Sequence, residues 1–317
     1  MFTYVNIRNS VYRHLPLYFL THFMDMNFYH LPVMLNEVDR YLVTKDDGYY
    51  VDCTFGGGGH SVFLLSKYKN IKIIAFDRDG SSLQRFNENG ELQKFKDRII
   101  FCNDNFRNIE KNLKELNITK INGLLADLGV SSKQLDDKER GFSFNSDSVL
   151  DMRMDNRQKL TAYEVINGFN KEKLQEIFFE YGEESFAKPI AQKIVETRIK
   201  NDIKTCNQLK DIICTVKHAK GKINPATKVF QALRIFVNDE LGSLKEMLSV
   251  INDILNPGTR AVILSYHSLE DRMVKRIFKT SDGLKIINKK VITASEEEIK
   301  NNPRSRSAKM RVVEKKL

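Results

Sequence analysis

"YYVDCTFGGGGHSVFLLSKY", residues 49–68, reads as a β-rich run, then four consecutive glycines, then a helical stretch. Gly loses more backbone freedom on folding than any other residue. Four in a row are therefore kept where the chain turns tightly, or where something approaches the backbone too closely for a Cβ. A glycine loop between a strand and a helix exposes backbone N–H groups at the positive end of the helix dipole, a site suited to phosphate-bearing or nucleotide-like ligands. A P-loop would need G-K-[ST] here, but His60 and Ser61 follow Gly59. A dinucleotide fingerprint needs G-x-G-x-x-G; Gly56 and Gly58 fit its first two places, but Ser61 holds the third.

Outward from the loop, "KIIAFD" (72–77), "RIIFC" (98–102) and "INGLLADL" (121–128) are short, apolar and largely β-branched. They suit strands buried on both faces of a parallel sheet, and helical stretches lie between them. This rhythm predicts a doubly wound, Rossmann-like α/β core. It stops near residue 136, and to about 223 only amphipathic helical pieces follow, such as "NKEKLQEIFFEYG". A single helix is expected over "ATKVFQALRIFVNDELGSLKEML" (226–248), burying Val229, Leu233, Phe236, Val237, Leu241 and Leu244. "NPG" (256–258) breaks the chain before a strand at 260–266, and "MRVVEKK" (310–316) reads as an edge strand.

A third ligand class for the loop is S-adenosylmethionine, and the acids bear on it. Asp77 ends the second strand about 20 residues beyond Gly58, where a carboxylate can accept both hydrogen bonds of a ribose diol. Asp127, in "ADLGVSS", stands at the carboxyl end of the fourth strand, the edge where α/β ligands react. A turn or helix-cap role is the plain alternative for each acid. The composition is globular, with 41% hydrophobic and 29% charged residues. No run of about 18 apolar residues occurs. The net charge of +10 fits a polyanionic partner or a lysine-rich surface, and charge alone does not choose. Cys53, Cys102, Cys206 and Cys214 form no C-x-x-C pair, which reads as reduced thiols with no metal site. Residues 1–24 contain no acid, and a start at Met24 or Met26 accounts for them more simply than a transit peptide.

Long strings extend these signals. In order they are "HLPVML" (30–35), "DCTFGGGGHS" (52–61), "AFDRD" (75–79), "DLGVSSKQLDDKERGFSF" (127–144) and "LDMRMD" (150–155). "YGEESFAKPIAQKIVETR" (181–198), "NPATKVFQALRIFVNDEL" (224–241), "SYHSLEDRMVKRIF" (265–278) and "NPRSRSAKMRV" (302–312) complete them. Together they closely resemble the RsmH (MraW) family of S-adenosylmethionine-dependent methyltransferases acting on N4 of a cytidine in 16S ribosomal RNA. The resemblance implies a class I methyltransferase core at 28–136 and 224–317, an RNA-binding helical insertion at 137–223, and an extension at 1–27. It places cofactor contacts at Gly58, Gly59, His60, Asp77, Phe106, Asp127 and Gln134, leaving Gly56 and Gly57 to the turn. Gly57 stands where the family commonly has a basic residue. Asp104 resembles an acid that many methyltransferases carry after the third strand, though Phe106 is the better match there. Asp151, Arg153 and His267 are the candidates for substrate contact, with a salt-bridged turn and a helix cap as the plain readings.

The implied chemistry needs an acceptor for the N4 hydrogens, because the amine lone pair is delocalised into the ring. Asp127 is the expected catalytic residue, with the carbonyls of Leu128 to Val130 as alternatives. The methyltransferase string Asp/Asn-Pro-Pro-aromatic is replaced here by D-L-G-V. Methylation at C5 would need a thiolate, usually from a Pro-Cys or Thr-Cys string. No cysteine follows a proline, and Cys53, which precedes Thr54, ends the glycine strand and is expected to face the core. Lys217, Lys220, Lys222, Lys275, Arg276, Lys289, Lys290, Arg304, Arg306 and Lys309 are candidates for RNA phosphates. The expected partner is small-subunit ribosomal RNA or the subunit itself, in the cytoplasm, with no membrane and no metal. Monomer and homodimer both stay open. A nicotinamide-dependent oxidoreductase and a non-catalytic assembly factor that binds RNA are the competing readings.

Overall fold

The computed structural model describes residues 31–144, 147–219 and 224–317. The extension at 1–27, Lys220 and Lys222 lie outside them. The chain forms two compact units: one of residues up to Asp77, Ser81–Gly129 and Lys245–Leu317, the other of Arg78–Gly80 and Val130–Leu244.

The first unit is built on an eight-stranded sheet: β1 (Asp47–Asp52), β2 (Asn70–Phe76), β3 (Ile99–Cys102), β4 (Ile121–Asp127), β5 (Leu255–Ser265), β6 (Leu284–Ile286), β7 (Ile292–Thr293) and β8 (Lys309–Lys315). The order is β3-β2-β1-β4-β5-β8-β6, with β7 also paired to β8. The first five strands run parallel and β8 runs antiparallel to β5. The order reverses between β1 and β4, which fixes the crevice beyond their carboxyl ends as the place where a doubly wound sheet receives ligands. Five of the seven residues of β2 and six of the seven of β4 are buried, as strands covered on both faces require.

Three details differ from the sequence reading. The C-terminal strand is not an edge strand: β8 lies between β5 on one side and β6 and β7 on the other. Those last partners are three and two residues long, too short to leave a periodic signal. Asn256, Pro257 and Gly258 lie inside β5, where Gly258 has φ +75° and the register with β4 shifts between Ile121 and Gly123. The helix expected over 226–248 is broken at Asp239, whose φ of +45° separates Thr227–Asn238 from Glu240–Ile254.

The second unit is helical and carries its own apolar core, drawn from Leu174, Ile177, Phe178, Ile190, Ile194, Leu209 and Ile213 among others. The helix Thr227–Asn238 buries Val229, Phe230, Leu233 and Val237 in that core. This unit therefore runs from Val130 to Leu244, past both expected limits of 137 and 223. Asn238 ties its turns: its Oδ1 accepts from Met154 N–H at 2.7 Å and its Nδ2 donates to Met152 O at 2.7 Å.

Candidate active site

β1 ends at Asp52 and passes into the glycine turn. Cys53 N–H donates to Leu125 O at 2.8 Å, and Phe55 N–H donates to Phe76 O at 2.9 Å, so the turn is anchored to both neighbouring strands. Gly58 N–H donates to Phe55 O at 2.7 Å, and the helix Gly59–Lys67 starts directly after it. Gly58 has φ +77°, and a Cβ there would lie 2.7 Å from Phe55 Cζ and Leu92 Cδ2. A Cβ on Gly59 would lie 2.5 Å from Pro32 Cγ. The chain's own packing thus accounts for both glycines. Gly57 is different, because a Cβ there meets nothing within 4 Å. A side chain fits at Gly57, as the basic residue at this place in the resembled family requires.

Three aspartates surround the turn. Asp77, just past β2, accepts from Gly56 N–H on Oδ2 at 2.9 Å, which holds the loop against the second strand. Asp127, the last residue of β4, donates its N–H to Thr54 Oγ1 at 2.8 Å. Its Oδ1 accepts from Tyr266 Oη at 2.5 Å. Burial raises the Asp127 carboxyl to about 6, with His60 and the Tyr266 hydroxyl opposing and Asp52 and Glu270 adding to the rise. Asp52 is buried; its Oδ2 accepts from Ser61 Oγ at 2.6 Å and its Oδ1 from Thr54 N–H at 3.1 Å. Burial raises its carboxyl too, against those two hydrogen bonds and His60. Sequence reasoning missed Asp52 and Tyr266. The available signal for Asp52 was strand alternation, which puts it on the same face as buried Tyr50.

The other expected residues of this unit fall at the same sheet edge. The His60 ring Nε2 lies 3.0 Å from Val33 O. Phe106 is buried at the start of a 3-10 turn whose cap is Asn105. Asp104 accepts from Asn105 N–H and Asn108 Nδ2 on one oxygen and from Asn112 Nδ2 on the other. Burial opposes its ionisation, but these donors hold it below the usual carboxylate range, the signature of a local cap. His267 caps the helix Ser268–Thr280, its side chain accepting from Glu270 N–H. Neither Cys53 nor Cys102 is poised as a thiolate: burial pushes Cys53 well above its ordinary value, and burial with Asp104 and Glu115 raises Cys102 to about 11.

In the second unit, Gln134 closes a capping box with Ser131 and donates from Nε2 to Asp79 Oδ2 at 2.9 Å. Arg140 Nη1 reaches the same Asp79 oxygen at 3.0 Å. Asp151 and Arg153 pair with each other through two hydrogen bonds of 2.8 and 2.7 Å. Arg153 Nη1 also donates to Gln158 O at 2.8 Å, so the alternating charges make a cross-braced turn. Lys217 forms a 2.6 Å ion pair with buried Glu184.

Comparison with known proteins gives one family. The model of the MraW methylase family matches residues 27–316. The chain is 54% identical over 290 residues to the ribosomal RNA small subunit methyltransferase H of Endomicrobium trichonymphae, covering 90% of this chain and 99% of that one. The protein of the same name from Clostridioides difficile is 44% identical over 312 residues, covering 92% of this chain and all of its own length (100%). That of Trichormus variabilis is 46% identical over 295 residues, covering 92% and 93% of the two chains.

Proposed function

The chain belongs to the MraW methylase family, and on that footing we propose that it methylates N4 of a cytidine in small-subunit ribosomal RNA with S-adenosylmethionine. The observation that carries the reading is near-full-length identity to methyltransferases named for that RNA, joined to an acid at the end of β4 held beside the glycine turn.

The donor set fits the cofactor. The open space at Gly57 leaves backbone accessible, while Asp77 and Asp127 supply carboxylates suited to a ribose diol and a cation. Gly58, Gly59, His60 and Phe106 are assigned to contact with the cofactor. S-adenosylmethionine supplies, when bound, a methyl group on a sulfonium centre. The protein's own part is to orient the amine, exclude water and take up a proton. Asp127 accepts a hydrogen bond from the N4 amine and then its proton as the new N–C bond forms. With its carboxyl raised by burial to about 6, Asp127 is a stronger base than an ordinary carboxylate.

Asp151, Arg153 and His267 are assigned to the substrate side. The target base must be turned out of its helix, which costs about a few kcal/mol. The helical unit is assigned to RNA binding. The reaction belongs in the cytoplasm with the ribosome, and among the described residues no helix is long and apolar enough to cross a membrane. A homodimer is tested by light scattering.

The decisive experiment incubates the protein with labelled S-adenosylmethionine and small subunits from cells lacking the activity, followed by nucleoside mass spectrometry. N4-methylcytidine is expected. Label in 5-methylcytidine, or in no nucleoside, overturns the reading; stabilisation by NAD(H) but not by S-adenosylhomocysteine returns it to the oxidoreductases.

A further inference from the structure

Tyr266 is the first residue after β5, and the register of β4 with β5 sets Asp127 opposite Leu264 at the same sheet edge. The 2.5 Å separation of Tyr266 Oη from Asp127 Oδ1 is short for O–H···O, as expected when the acceptor is ionised. The tyrosine is itself held: its N–H donates to Glu270 Oε2 at 2.9 Å. Its ring lies beside Gly129, where an added Cβ would sit 3.8 Å from Cδ2. The groups facing the pair are His60 from the glycine-turn helix, Asp52 from β1, Glu270 from the helix after β5, and Glu298 from the helix Glu296–Asn301. Burial, with Asp127, Glu270 and Glu298 adding to it, pushes the phenol far above its ordinary value, so it acts as a donor at any working pH.

We propose that Tyr266 is a positioning residue: it grips the Asp127 carboxylate by one oxygen, fixing its direction and favouring its ionised form, so that the other oxygen receives the N4 proton of the substrate amine. The proposal rests on the reaction assigned above. Without the hydroxyl, the carboxylate is free to rotate and the buried charge loses its donor while Asp52 and Glu270 still repel it.

The test is Tyr266→Phe, which keeps the ring and removes the donor. A hydrogen bond to a buried charge corresponds to a shift of about one to two pH units in the Asp127 midpoint. The methylation rate of Tyr266→Phe at pH 6.5 is expected to fall about tenfold and to recover toward the wild-type rate by pH 9, with KM for the subunit unchanged. A merely structural role would lower the rate equally at every pH. A readout independent of turnover is carboxyl 13C NMR of aspartate-labelled protein, following the resonance absent from Asp127→Asn. Its midpoint, near 6 in the wild type, should rise in Tyr266→Phe and fall when 3-fluorotyrosine, a stronger donor, is incorporated at position 266. A midpoint unmoved by either replacement overturns the proposal. A midpoint that moves in a protein forming no N4-methylcytidine keeps the pair and refutes the assigned reaction instead.

Discussion

The glycine turn offers a paired test of what each glycine is for. In Gly58→Ala the new Cβ meets Phe55 Cζ and Leu92 Cδ2 at 2.7 Å in a residue held at φ +77°. A left-handed conformation costs a non-glycine residue about 1–2 kcal/mol. Forcing a methyl into a packed site adds about 1–3 kcal/mol, because Phe55 is itself pinned edge-on against Phe86 and Phe101. The smaller unfolded-state entropy of alanine returns about 0.4–1 kcal/mol. The net loss is about 2–4 kcal/mol, or a fall in Tm of about 5–15 °C for a unit of this size. Gly57→Ala meets no neighbour within 4 Å and has no positive φ, so it should change Tm by less than about 3 °C in either direction. Thermal melts of both variants, with and without S-adenosylhomocysteine, read the difference. Gly57→Ala should keep the ligand-induced rise. The reasoning fails if Gly58→Ala melts with the wild type, or if Gly57→Ala loses as much as Gly58→Ala.

Further outcomes follow from the acids and thiols. Asp127→Asn keeps shape and hydrogen-bonding capacity but cannot take up a proton; transfer should fall by about 10²–10⁴ while S-adenosylhomocysteine still raises Tm. A variant with full rate would move the acceptor elsewhere. Ser61→Ala removes the 2.6 Å donor from buried Asp52 and should lose about 1.5–3 kcal/mol at pH 8, read by urea unfolding. The raised Asp52 carboxyl means its ionisation opposes folding as pH rises, and losing Ser61 strengthens that opposition. The deficit should therefore shrink in acid, and a deficit constant with pH would show that Asp52 is not its source. Cys53→Ala should retain transfer to N4, since that thiol is 2% exposed and held protonated by burial; complete loss of methylation with native Tm would reopen covalent catalysis.

Much of the site was legible in the sequence because its signals are local. A strand, a glycine turn and a helix form one contiguous string, and Asp77 and Asp127 each end a short apolar run, so their place at the sheet edge follows from strand length alone. The helical character of the second unit was equally plain from amphipathic spacing. Its limits were not. Nothing in the apolar stripe of Thr227–Asn238 says which core it faces, and the left-handed turn at Asp239 is written in no proline or glycine.

The sequence by itself determined the Rossmann-like class, the position of the turn and two of its acids, because backbone preference and hydrophobic period act over a few residues. Tertiary structure alone decided which groups govern those acids. Tyr266 lies 139 residues from Asp127 along the chain and meets it only because β5 pairs with β4. Asp52 meets Ser61 only because the glycine turn returns the first turn of the following helix to the end of β1. A carboxylate's charge is set by burial and by the donors around it, and the fold brings those donors from distant parts of the chain.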